Sequence, residues 1–111
     1  MPQIWTLGHR NVQGLAFAED GTLWATEHGP QGGDELNVIM PGKNYGWPII
    51  SYGRAYSGDV IGETGPVKTP AVAEGMEQPL LFWSPSLALT GLTFYTGDKF
   101  PEWKDSVFVG A

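Results

Sequence analysis

The sequence predicts an all-β chain of short antiparallel strands joined by turns and interrupted by one long loop. Three observations predict it. No window sustains apolar residues at helical spacing without a Gly or Pro breaking the pattern. Short runs in which apolar residues alternate with small or polar ones recur instead. The chain is also rich in turn formers, with 16 Gly and 9 Pro scattered without a period, which excludes a collagen helix as well.

The elements follow in order. Leu15 and Phe17 alternate with Ala16 and Ala18, Glu19-Asp20-Gly21 supplies a turn, and Leu23-Trp24-Ala25-Thr26 returns antiparallel. Asp-Gly is the favoured pair for such a hairpin. Leu36, Val38 and Met40 alternate with Asn37 and Ile39 in a second run. From about Gly42 to Pro79 no strand pattern is visible, and a loop of that length in a compact domain is often functional. Leu80-Leu81-Phe82-Trp83 is a short apolar run. Leu92 and Phe94 then alternate with Thr93 and Tyr95, Thr96-Gly97-Asp98 turns the chain, and Val107-Phe108-Val109 begins another strand.

An internal repeat organises these pieces. Gly14-Leu15-Ala16-Phe17 returns as Gly91-Leu92-Thr93-Phe94. The two copies are too far apart for neighbouring propeller blades of about 40–50 residues unless an insertion separates them, and the long loop is such an insertion. The expected architecture is therefore a partial β-propeller of about two blades, with residues 1–111 forming one segment. Both ends read as cut relative to that fold. Ile4-Trp5 opens without a leader, and the chain stops at Val109-Gly110-Ala111, inside an apolar strand pattern. Strand edges left open in this way invite pairing with further copies of the chain.

Composition excludes several function classes. The net charge is −6, and the cations Arg10, Lys43, Arg54, Lys68, Lys99 and Lys104 are dispersed, so there is no basic stripe to neutralise nucleic-acid phosphates. No apolar run approaches the roughly 20 residues that cross a bilayer. The start Met1-Pro2-Gln3-Ile4-Trp5 has no secretory signal pattern. Without cysteine there are no disulfides and no thiolate metal sites.

Two segments carry candidate chemistry. In Gly8-His9-Arg10-Asn11-Val12-Gln13-Gly14, the Arg10 guanidinium and the Asn11 amide can grip an acidic, carbonyl-rich ligand, or can brace a loop by bonding backbone carbonyls. Glu27-His28-Gly29-Pro30-Gln31-Gly32-Gly33-Asp34-Glu35 concentrates three carboxylates and three glycines, whose hard oxygens and close-approaching backbone suit calcium. The same stretch also reads as a tight acidic turn at a sheet rim. It is neither an EF-hand nor a dinucleotide fingerprint, and Asn44 stands where a phosphate loop needs Ser or Thr. Asn44-Tyr45-Gly46-Trp47-Pro48 offers aromatic faces that can stack on a flat ring or fill space between sheets. Glu63, Glu74 and Glu77 read as solvated charges, and neither histidine has a nucleophile beside it.

Taken together, GHRNVQGLAF, EHGPQGGDELN, GKNYGWP and the later TGLTFYTGDKFPEW resemble the glucose/sorbosone dehydrogenase family, which includes soluble aldose sugar dehydrogenases dependent on pyrroloquinoline quinone (PQQ). The resemblance runs over nearly the whole chain, with Val12 standing where many members have Pro. It implies a six-bladed β-propeller, a PQQ and calcium centre, and oxidation of an aldose C1 hydroxyl to a lactone. Arg10 and Asn11 match quinone contacts, and Tyr56 is a looser candidate for lining the quinone pocket. Gly29 and Pro30 match backbone carbonyls that hold the active-site calcium, while Glu35 and the Tyr45 carbonyl match a second, structural calcium site. The family's catalytic His lies upstream of the Arg-Asn pair in a segment this chain lacks, so no catalytic residue is assigned here. The family setting implies a periplasmic or secreted protein acting on an aldose sugar. The alternative is a non-catalytic, propeller-derived interaction module that self-assembles through its open edges.

Overall fold

The computed structural model describes residues 3–58 and 72–111. Four strands, β1 (Val12–Phe17), β2 (Leu23–Glu27), β3 (Asp34–Ile39) and β4 (Leu81–Trp83), form one antiparallel sheet in sequential order. Two more, β5 (Leu92–Phe94) and β6 (Val107–Val109), pair antiparallel in a second sheet. The sole helical element among the described residues is a 3-10 turn at Pro101–Trp103, with Pro at its start where a missing N–H costs nothing. The chain is all-β, as expected, and the four-stranded meander has the form of a propeller blade.

The first hairpin forms where the sequence placed it, but by a different turn. Phe17 pairs with Leu23, so five residues make the connection. Glu19 and Asp20 are its central pair, closed by Gly21 N–H donating to Ala18 O at 3.0 Å, with Gly21 at φ +84°. Asp20 Oδ1 also accepts from Thr22 N–H at 2.9 Å. The Asp-Gly dipeptide thus ends a longer turn and is not the core of a two-residue one, because the glycine is needed in the left-handed region one position later.

β3 departs from simple alternation too. Leu36, Asn37 and Ile39 are all buried, whereas Met40 lies past the strand end and is exposed. Both faces of the strand are covered, so period two in burial is lost. One face contributes to a core of Ala25, Ile39 and Tyr45 with Leu23 against it. On β1, by contrast, Leu15 and Phe17 are 62% and 69% exposed.

The internal repeat marks equivalent strands of the two sheets. β1 lies beside β5, and a Cβ on Gly14 would stand 2.9 Å from the Gly91 Cα. Glycine at both repeat positions allows that backbone contact. Thr26 Oγ1 donates to Thr90 O at 2.6 Å, and the Trp24 and Phe94 rings meet edge-on at 5.5 Å, so polar and aromatic contacts join the sheets.

The long loop is an insertion between β3 and β4, which pair directly. Its described parts are tied back at several points. The segment 5–8 runs alongside it, with Leu7 N–H donating to Lys43 O, Tyr45 N–H to Leu7 O and Trp47 N–H to Gly8 O. Tyr52 stacks on Phe82 of β4 at 3.8 Å, and Lys43 pairs with Glu77 at 3.0 Å, so Glu77 is an ion-pair partner and not an isolated charge. Glu74 is exposed; Glu63 lies outside the described residues.

Candidate functional site

Among the described residues four polar ones are buried, all on β2 and β3: Thr26, Glu27, Asp34 and Asn37. Burying polar groups is costly unless each is hydrogen-bonded, so their concentration at one end of the sheet marks a built site. The register explains it. Glu27 at the end of β2 stands directly opposite Glu35 near the start of β3. Opposed like charges on an antiparallel pair destabilise the sheet unless something lies between them.

Part of that something is Asn37. Its Nδ2 donates to Glu27 Oε2 at 3.2 Å and to Glu35 Oε2 at 3.1 Å. With the amide nitrogen fixed by two carboxylate acceptors, Asn37 Oδ1 is left buried and without a partner. Glu27 has further donors: His9 Nδ1–H at 2.6 Å and the Arg10 backbone N–H at 2.8 Å. His9 accepts from Thr6 Oγ1 through Nε2 at 2.8 Å and stacks on Tyr45 at 4.8 Å. Burial pushes the Glu35 carboxyl up to about 7; the Asn37 hydrogen bond works against that rise, the Glu27 charge adds to it, and nearby His9 offsets part.

Of the two roles the sequence left open for Arg10, the structure shows the loop brace. Its Nη1 donates to His28 O at 3.2 Å and Gly29 O at 3.3 Å, bracing the loop, while its guanidinium lies 5.3 Å over the Trp47 ring. Asn11 is exposed, accepts from Gln13 Nε2 at 2.7 Å through its side chain, and takes His28 N–H on its backbone oxygen. The Glu27–Glu35 loop needs its glycines. A Cβ on Gly29 would stand 2.0 Å from Gly32 O, and Gly33, at φ +72°, would put one 2.2 Å from Gly53 N. Pro30 packs against Gly53.

Gly29, Glu35 and Tyr45, three of the four predicted metal-binding residues, line one crevice together with Arg10, Glu27 and Trp47. The crevice has about 20 Å³ of free space, enough for one water or one ion. Tyr45 is buried and held at both ends, its Oη donating to Val38 O and its N–H to Leu7 O. Tyr56 stands apart from the crevice, 75% exposed, its carbonyl 3.5 Å from Gln31 Nε2.

The residues lining the crevice offer hard oxygens of the kind a divalent cation takes: two opposed carboxylates, Glu27 and Glu35, and the backbone carbonyls of the glycine loop. Among the described residues no three His, Cys, Asp or Glu side chains converge as a metal centre, so carbonyl and amide oxygens must complete any coordination. Both histidines are committed, His9 as above and His28 through Nε2–H to Leu89 O. Residue typing alone missed Glu27 and Asn37; the symmetric placing of Glu27 and Glu35 about the glycine loop was the available signal.

Comparison with known proteins identifies the family. The glucose/sorbosone dehydrogenase family model matches residues 1–111. An aldose sugar dehydrogenase of Escherichia coli is 46% identical over 110 residues, covering 98% of this chain and 29% of that protein. The crystal structure of the soluble E. coli aldose sugar dehydrogenase in its apo form superposes with a TM-score of 0.88 at 45% identity, over 100% of this chain and 31% of its own. A PQQ-bound aldose sugar dehydrogenase from Streptomyces coelicolor gives a TM-score of 0.57 at 34% identity, over 80% of this chain and 22% of its own. The chain thus spans under a third of the length of these relatives, and its two sheets correspond to part of their β-propeller. Among the described residues no helix is long and apolar enough to cross a membrane. A match over the full 111 residues, together with a shared fold, makes this chain a member of the glucose/sorbosone dehydrogenase family.

Proposed function

We propose that these residues form the calcium-holding part and one wall of the quinone pocket of a PQQ-dependent aldose sugar dehydrogenase, which oxidises the sugar C1 hydroxyl to a lactone. The observation that carries the reading is the opposed Glu27–Glu35 pair, both carboxylates lining one ion-sized crevice and both bonded by Asn37 Nδ2. When bound, calcium and PQQ together supply a polarised hydride acceptor.

The chain's own residues hold and orient. Glu35 and the Tyr45 carbonyl are assigned to the structural cation, and the Gly29 and Pro30 carbonyls to the cation at the quinone. Arg10 presents a guanidinium braced by His28 O and stacked on Trp47, so its charge is fixed in direction before any ligand arrives. Asn11 stands next to it with a side chain at the surface, and Tyr56 is assigned to the outer rim. No base is assigned within these residues. Neither histidine is free for it, since His9 holds Glu27 and His28 holds Leu89 O. A periplasmic or secreted setting accompanies this reading.

A calcium-dependent thermal melt tests it, because a ligand bound only by the folded state must raise stability. The expected result is a rise in Tm with calcium that magnesium does not match, and a further rise with PQQ. Melting unaffected by either ligand overturns the reading. The exposed Leu15 and Phe17 on β1 favour a second one, self-assembly that covers this face. A solution mass at the monomer value at all concentrations would eliminate it.

A further inference from the structure

We propose that Asp34 is a positioning residue: it holds the His28–Gly29 peptide between itself and Arg10, and so ties the quinone-facing arginine and the Gly29 carbonyl to the chain segment 86–90. The inference rests on the reading that Arg10 and Gly29 face cofactor and cation, and it adds a residue with no role in that assignment.

Asp34 is fully buried at the first position of β3. Its Oδ1 accepts the Gly29 N–H at 3.0 Å. That N–H belongs to the same peptide whose carbonyl, His28 O, accepts from Arg10 Nη1 at 3.2 Å. One peptide plane is therefore gripped on opposite edges by a carboxylate and a guanidinium. Arg10 reaches on to Gly29 O at 3.3 Å, so the next carbonyl is held by the same group.

The other oxygen of Asp34 faces away from the loop. Oδ2 accepts from Ser86 Oγ at 2.7 Å, from Leu87 N–H at 3.0 Å and from Ala88 N–H at 2.8 Å. These donors belong to a segment that leads through Leu89 and Thr90 into β5 and the second sheet. His28 holds the same segment through Leu89 O, and Thr26 holds it through Thr90 O. Asp34 differs from Thr26 in touching the segment with one oxygen and the Gly29 peptide with the other; His28 spans the same two points through its ring and its own carbonyl. A carboxylate has the acceptor sites for both duties; an asparagine does not, since its Nδ2 cannot accept from Ser86, Leu87 or Ala88.

Three variants of the full chain test the proposal. Ser86→Ala removes one donor to Oδ2 and touches nothing at Gly29. Asp34→Asn keeps an oxygen for Gly29 and loses the segment. Thr26→Val loosens the segment at a point that does not involve Asp34. Amide hydrogen exchange at Gly29, read by NMR without metal, should accelerate at least about tenfold in S86A and D34N and stay near the parent rate in T26V. Calcium titration followed at the Gly29 resonance should show affinity falling roughly 10–100-fold in the first two, the range expected when a group orienting a ligand is lost. Unchanged Gly29 exchange in S86A overturns the proposal, whether or not D34N folds. Equal acceleration in all three variants overturns it as well, because loosening of the segment would then suffice. Absence of calcium binding at Gly29 in the parent chain refutes the cation assignment instead, and the exchange comparison still decides the coupling.

Discussion

Replacing Glu35 by Gln should make the metal-free protein more stable at alkaline pH while abolishing its response to calcium. The carboxyl is raised from 4.5 to about 7 by burial, with the opposed Glu27 charge adding to the rise. The folded protein therefore keeps a proton through the interval from about 4.5 to 7 that the unfolded chain releases. Stability must fall as pH rises across that window, by about 1.4 kcal/mol per pH unit and about 3 kcal/mol in total. In a domain of this size that is roughly 10–20 °C in Tm. Glutamine conserves the acceptor for Asn37 Nδ2 and removes the charge, so E35Q should melt at nearly the same temperature at pH 5 and pH 8 in chelator. The parent should melt well below it at pH 8. Calcium should then raise the parent Tm at pH 8 more than at pH 5, because a cation between the carboxylates favours their ionised form, and should leave E35Q unmoved. Differential scanning fluorimetry with chelator or calcium across that range measures all of this. A metal-free parent whose Tm is flat or rising between pH 5 and 8 refutes the electrostatic reasoning. Equal calcium responses in parent and E35Q refute Glu35 as a ligand.

Other outcomes follow from single contacts. Gly29→Ala places a Cβ 2.0 Å from Gly32 O, backbone that cannot swing aside, and should cost about 1–3 kcal/mol and lower calcium affinity measured by calorimetry. Asn37→Ala removes the amide shared by Glu27 and Glu35 and should destabilise the metal-free chain by about 1–3 kcal/mol, an effect that saturating calcium reduces in a urea melt. Arg10→Ala should weaken PQQ binding, followed by absorbance titration, far more than it weakens calcium binding at the Glu35 site. At the acid end, burial opposes ionisation of Asp34, but Ser86 and the Gly29, Leu89 and Ala88 amides outweigh it and hold its carboxyl below the usual range. Its contribution is complete above about pH 4 and is lost as pH falls through the lower folded value, so acid unfolding should be shifted to higher pH in S86A, as monitored by circular dichroism.

How much of this was legible in the sequence depends on the range of the interaction. Turn chemistry, short strands and the Gly-Leu-x-Phe repeat are local, and they located β1, β2, β5 and β6 and the insertion between β3 and β4. Even there, the hairpin after Phe17 needed hydrogen bonds to show that Asp20-Gly21 ends a five-residue connection. The dense polar stretch Glu27–Glu35 and the Arg10-Asn11 pair were visible as residue types in order, and with the resemblance they named the family. Which oxygens face each other was not visible. Pairing of Glu27 with Glu35 is a matter of strand register, set only when β2 and β3 close on their loop. Bridging by Asn37, and the orphaned oxygen it leaves, follow from that register. Asp34 is the clearest case. In the sequence it is one acid among three in a glycine-rich run. In the fold it is buried between Gly29 and residues more than fifty positions later, because the segment leading into the second sheet passes over the first strand position of β3. Composition and motif order determined what kind of protein this is; chain crossings between distant segments decided which buried oxygens it turns toward its site, since a carboxylate's role is fixed by the donors around it and those donors come from elsewhere in the chain.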